Sequence, residues 1–91
     1  MLKDTKNAST QAVPFGCKSA GEHLFLVQSD IPLQVALGHA SVLMGCASTL
    51  LSETVDADPK VLRTLHSAAL HFVEASQALI QASLEGNDRR G

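Results

Sequence analysis

At 91 residues the chain has room for one domain, near the lower size at which a single core holds without staples or a second subunit. The hydrophobic share of 45% comes from Leu, Ala and Val, since aromatics are 3% and Trp and Tyr are absent; this composition suits helices packed through small side chains. A net charge of −2 offers no basic field to a phosphate backbone, which argues against nucleic-acid binding, and two cysteines are too few for a disulfide framework.

Residues 1–22 combine Lys, Asn, Ser, Thr and Gln with Pro14, Gly16 and Gly21 and show little periodicity. They are expected to form a flexible arm, disordered through at least residue 12. The first residues lack the apolar stretch of a secretory signal, so a cytoplasmic location is expected. His23 to Gln28 is short, apolar and rich in strand formers, and Ser29-Asp30 ends it. A single strand needs an edge, and the expected partner is the same segment in another copy, unless it packs as an extended staple over the helices.

From Ile31 to Ser52 there is no Asp, Glu, Lys or Arg. Ser29 or Asp30 is the expected cap, Pro32 falls in the first turn, and a helix over about 31–53 follows. Leu33, Ala36, Ala40, Leu43, Ala47 and Leu50 recur at alternating steps of three and four, with Leu37, Met44 and Leu51 flanking them on one side. Val35, His39, Val42 and Cys46 widen the arc on the other. The remaining face, with Gln34, Gly38, Ser41, Gly45, Ser48 and Ser52, is small and neutral. A neutral run of this length could span a bilayer, but Gln34, His39, several hydroxyls and the acidic flanks Asp30 and Glu53 favour a buried helix of a soluble bundle.

A second helix is announced by cap candidates Asp56 and Asp58 and by Pro59, with Gly86-Asn87 as its stop, predicting 59–85 and a flexible tail over 87–91. Val61, Leu65, Ala68, Phe72, Ala75, Leu79 and Ala82 form its stripe, and Leu62, Ala69, Val73 and Ile80 widen it. The short link from Glu53 to Asp58 forces an antiparallel hairpin, so 23–86 is the folded domain. The fold class expected is all-α, a helical hairpin with a short extended N-terminal segment. Arcs wider than one contact can hide favour pairing of two hairpins as a dimeric four-helix bundle. Leu37, Leu43, Met44, Leu50, Leu65, Phe72 and Leu79 are the expected dimer and core residues. Phe15 and Phe25, large apolar groups outside the helices, are the candidates for partner docking.

Chemical constellations are sparse. His66 and His71 are five apart, and His39 and Cys46 are about 10.5 Å apart along a helix, so neither pair chelates one ion. Cys46 reads as an inert helix thiol. Glu53, Asp56 and Asp58 read as loop and cap carboxylates, and no nucleophile is flanked by a base. No enzyme, cofactor or metal site is expected. The leading expectation is a non-enzymatic homodimeric module that binds another protein, as an adaptor or regulator. The alternative is a ligand-, metal- or thiol-responsive helical protein using Cys17, Cys46 and His39 at a dimer interface.

Pro14-Phe15-Gly16 with Gly21, Leu24-Phe25 with Val27, Ile31-Pro32, and Ala36-Leu37 with Ala40-Ser41, Leu43 and Cys46 together resemble a family of small pseudomonad proteins known as a domain of unknown function. The likeness covers about residues 14–80 and is strongest through the first helix. It implies a bacterial helical protein whose folded unit includes Phe15-Gly16 and Leu24 to Val27, and it supplies no activity, ligand or catalytic residue.

Overall fold

The computed structural model describes residues 8–19 and 21–90, the side chains of 17–19, 89 and 90 excepted. Two strands, β1 (Val13–Ser19) and β2 (Glu22–Val27), precede two helices, α1 (Leu33–Ser52) and α2 (Pro59–Arg90). The fold is mostly helical: the two expected helices pack against each other, and the extended N-terminal segment is part of a small antiparallel sheet, so the chain is not purely α. The reason lies in residues 13–19, expected to be part of a flexible arm: they supply the edge that β2 needs within the same chain. Val13 pairs with Val27, Phe15 with Phe25 and Ser19 with Glu22, and Gly21, just before β2, adopts φ +81°. Pro14 and Gly16 obscure the strand in sequence. Between Phe15 and Lys18 the register shifts, so two residues of β1 oppose one of β2, and Gly16 at φ +83° sits in that bulge. A Cβ on Gly16 would meet the Phe25 ring at 2.7 Å.

Upstream of β1, residues 8–12 form a strap, with Ala8 and Thr10 buried, where disorder was expected. Residues 1–7 lie outside the described residues. Thr10 donates its N–H to the Ile31 carbonyl at 2.9 Å and accepts from Asp30 N–H at 2.9 Å. Its hydroxyl donates to the Gln28 carbonyl at 2.6 Å and accepts from Ile31 N–H at 3.1 Å. The strap thus fixes the corner between β2 and α1, where Asp30 adopts φ +68°. Neither Ser29 nor Asp30 caps α1. Pro32 is the residue at its N-terminus and no side chain caps it; Leu33 N–H instead donates to the Ala8 carbonyl at 3.3 Å. A backbone neighbour replaces the expected side-chain cap.

The start of α2 follows the sequence reading. Asp58 Oδ1 accepts from the amides of Lys60 and Val61, both at 3.0 Å, with Pro59 first in the helix. Its end does not. α2 passes through Gly86-Asn87 and runs to Arg90, so the tail reading of 87–91 is corrected for 87–90, while Gly91 lies outside the described residues. Gly86 is buried within the last turns of α2 because the strap crosses it: a Cβ there would overlap the carbonyl of Ser9. Next to this crossing Gln11 N–H donates to the Ala82 carbonyl at 3.0 Å.

α2 is the central element, touching α1, β1 and β2, whereas α1 does not reach the sheet. Toward α1, Leu33, Ala36, Ala40 and Ala47 of the predicted seam are buried. On α2, Ala69, Ser76 and Ser83, seven residues apart, are buried too. The Ser76 hydroxyl donates to the Ala40 carbonyl of the facing helix at 2.9 Å, a contact that requires small residues at both positions. Toward the sheet, Ala78 and Ala82 form a core cluster with Val13 and Val27, with Phe15 and Leu79 packed against it. The predicted stripe of α2 therefore straddles two faces with different partners.

Gly86→Ala isolates the crossing. Helix propensity alone favours alanine by about 1 kcal/mol. Overlap with Ser9 outweighs that gain, and we expect a net loss of about 1–3 kcal/mol, read from urea unfolding. Equal or greater stability would show that the strap does not lie there.

Candidate association surface

The residues expected to carry assembly divide into two groups. Leu43, Leu50, Leu65, Phe72 and Leu79 are half-buried within the single chain, along or beside the α1–α2 seam. Leu37 and Met44 remain 44% and 45% exposed. They sit seven residues apart with Leu51 next in the series, so the three share one stripe of α1. Ile80 and Leu84 of α2 line a depression with Leu33 and Leu37, which places the two helices' apolar stripes side by side. Leu62 lies on the same stripe of α2, five turns before Ile80, and is exposed as well. Together these residues make one apolar face across the helical pair, on the side that the hairpin does not cover. Leu84 lies within the expected helix but outside the expected stripe, which ends at Ala82. Its spacing from Leu62 and Ile80 was the available signal.

The opposite side of α1 carries a shallow groove lined by Val42, Gly45, Cys46, Thr49, Leu50 and Phe72. Nothing lies within 4 Å of where a Cβ on Gly38 or Gly45 would stand. Hydroxyls along α1 turn inward on their own helix: Thr49 donates to the Gly45 carbonyl at 3.1 Å and Ser52 to the Ser48 carbonyl at 3.0 Å. The neutral helix thus turns most of its residues outward: of α1 only Leu33, Ala36, Ala40 and Ala47 are buried. By length and composition alone, α1 is also long enough to cross a membrane.

Phe15 and Phe25, chosen for docking, come together. Their rings stack with centroids 5.5 Å apart, and both meet His71 of α2, Phe25 at 5.0 Å and Phe15 at 6.3 Å. Phe72 continues the group, 6.1 Å from His71. Phe15 is half-buried and serves the sheet–helix core, whereas Phe25 keeps 44% of its surface exposed. His71 therefore packs among aromatic rings. His23 is exposed with Nδ1 3.0 Å from the Gly16 carbonyl, and His39 and His66 are exposed on the helices. Cys46 is a free, exposed thiol, and the Cys17 side chain lies outside the described residues. Among the described residues no group of three or more His, Cys, Asp or Glu could hold a metal ion. Asp58 is occupied as a cap, and Glu53 and Asp56 are exposed in the link between the helices.

The chain belongs to the family described as protein of unknown function (DUF3077), whose model matches residues 9–86. The match begins at the strap and ends at the glycine it crosses. No curated protein and no solved structure matches the chain.

Cys46 separates the groove from the apolar face. Iodoacetamide should modify Cys46 in the folded protein, as checked by mass spectrometry, and leave its sedimentation unchanged. Dissociation on alkylation would place the interface in the groove and favour the thiol-responsive reading.

Proposed function

We propose that this protein is a non-enzymatic homodimeric interaction module, and that two copies pair through the face bearing Leu37, Met44 and Leu51 of α1 and Leu62, Ile80 and Leu84 of α2. The observation that carries this reading is that face: six large apolar side chains, each 41–62% exposed, arranged across two antiparallel helices. Folded domains ordinarily bury apolar stripes between two packed layers. This chain is 50 × 32 × 15 Å, so its thin dimension is little more than one layer, and its radius of gyration of 15.5 Å exceeds the roughly 12 Å of a compact domain of this length. A second copy laid on the face supplies the missing layer and produces a four-helix bundle. The surface is free of charge along α1, so it suits its own image in a twofold contact. The groove beside Phe72 and the exposed part of Phe25 stay outside the bundle, where an adaptor or regulator would meet another protein.

Membrane insertion of α1 is the competing outcome, and it conflicts with the packing. Leaving the bundle for a bilayer would strip Ala36, Ala40 and Ala47 from α2 and break the Ser76–Ala40 hydrogen bond. A soluble, associated protein after high-speed centrifugation agrees with the bundle; recovery in the membrane pellet overturns it.

Three substitutions resolve the surface. Met44→Lys places an ammonium group on the proposed contact of each copy and should weaken association by at least about a hundredfold while the thermal transition of the dilute single chain is retained. Leu43→Asp, half-buried inside the chain, should instead unfold the protein at a cost of about 3 kcal/mol or more. Gly45→Ala faces open space away from the contact, so it should stabilise by up to about 1 kcal/mol without changing the mass. Sedimentation and calorimetry of the three variants check the assignment, and unaltered association of Met44→Lys excludes this face.

A further inference from the structure

The small sheet has two edges, and only one is protected. β1 carries Pro14, which has no N–H to offer, and the bulge at Gly16, two features that blunt an edge against further pairing. β2 has neither. Its residues from Glu22 to Leu26 are all exposed, and Val27 alone is buried. Alternation along the strand puts Phe25 and Val27 on the side of α2, and Leu24 and Leu26 on the outer side, 58% and 57% exposed. An uncovered strand of this composition is a template for another strand.

We propose that β2 is a second self-association edge, at which two copies pair antiparallel about a twofold axis at Phe25 and join their hairpins into one four-stranded sheet. The occupant follows from the strand's complementarity to itself. With the axis at Phe25, Leu24 stands opposite the partner's Leu26 and, by symmetry, Leu26 opposite the partner's Leu24. His23 then meets the partner's Val27, and Glu22 meets the partner's Gln28. Apolar residues on the outer face meet apolar residues, and the one carboxylate meets a polar amide. Moving the axis to Leu24 would set Glu22 against the partner's Leu26 on both sides. This inference rests on the reading that copies of the chain associate, and it adds a surface separate from the helical face. α2 lies between α1 and the sheet, and the face bearing Met44 is not the side on which the hairpin packs. One copy can therefore use both surfaces, and homodimers paired through the helical face would join through their sheets into a larger assembly.

Charge placed at the two leucines tests both the edge and the register. With Leu24→Lys and Leu26→Lys together, lysine opposes lysine across the axis, and association through the sheet should fall about tenfold or more. With Leu24→Lys and Leu26→Glu, each lysine opposes a glutamate and association should recover. Hydrogen exchange of the wild type gives a second readout: alternate β2 amides, which point away from β1, should gain protection as concentration rises. Sedimentation separates the two surfaces. The dilysine variant alone and Met44→Lys alone should each leave a dimer, and all three changes together should leave a single chain. A Met44→Lys protein of wild-type mass, with a lighter dilysine variant, would remove the helical pairing and retain the sheet. A dilysine variant of wild-type mass, or β2 exchange that does not vary with concentration, overturns the proposal. It falls equally if the edge is protected only by an added extended peptide of another sequence.

Discussion

The architecture depends on one residue's hydrogen bonds. Thr10 is 1% exposed and uses its N–H, its carbonyl and both roles of its hydroxyl on the short corner that joins β2 to α1. Thr10 itself is buried, and an unmatched donor or acceptor on a buried residue costs about 1–3 kcal/mol, so its bonds couple the conformation of the strap to that of the corner. From that anchor the rest is placed. Ala8 supplies an acceptor to the start of α1, Ser9 lies across Gly86, and Gln11 bonds to Ala82, so one extended segment ties the beginning of the first helix to the last part of the second. A helical hairpin held only at its loop would be free to splay at its open end. The strap closes that end.

This explains which parts of the fold can be read from sequence. The helices, the Asp58-Pro59 start and the seam Leu33, Ala36, Ala40, Ala47 are local patterns, set by periodicity and by groups a few residues apart. Gly86 shows where local reading stops. In sequence, Gly followed by Asn after a long apolar stripe is a helix terminator, because glycine is permissive there. In the structure the same glycine is needed for its lack of a side chain, since a segment far away in the chain passes over it. Thr10 and Ser76 are the same kind of case. Each looks like ordinary loop or surface polarity until the partner, eighteen or more residues away for Thr10 and thirty-six for Ser76, is in place. The apolar surface is legible as an excess, and five of its six large contributors, Leu37, Met44, Leu51, Leu62 and Ile80, stand on the apolar arcs that periodicity draws, but its outline depends on the β-hairpin covering the other side of α2.

α2 shows how a small chain distributes its burial. Residues at steps of seven, Ala69, Ser76 and Ser83, turn to α1. Ala78 and Ala82 turn to the sheet, with His71 placed among the sheet's phenylalanines. Small side chains dominate both contacts, which lets backbones approach and makes carbonyl-directed hydrogen bonds such as Ser76 to Ala40 possible. The cost of building a core from alanine and serine is low apolar area per residue, because burial stabilises by roughly 25 cal/mol per Å² and these side chains have little to bury. Many of the larger residues, Leu37, Met44, Leu51, Leu62, Ile80 and Leu84 among them, are left outside.

That inversion is the strongest physical argument for assembly. If the chain acted alone, the leucines and methionine of the helical face would be its best unused source of stability, and exchanging them with inward alanines would be the simpler way to reach a stable monomer. The structure instead places bulk outward on two separate surfaces, the helical face and the β2 edge, and keeps charge away from α1 altogether. Exposed singly, such side chains need no explanation. Here they are ordered by the heptad spacing of one helix and the alternation of one strand, so each surface has a direction and a register, and a contact with direction and register selects a particular partner where a merely sticky patch would not.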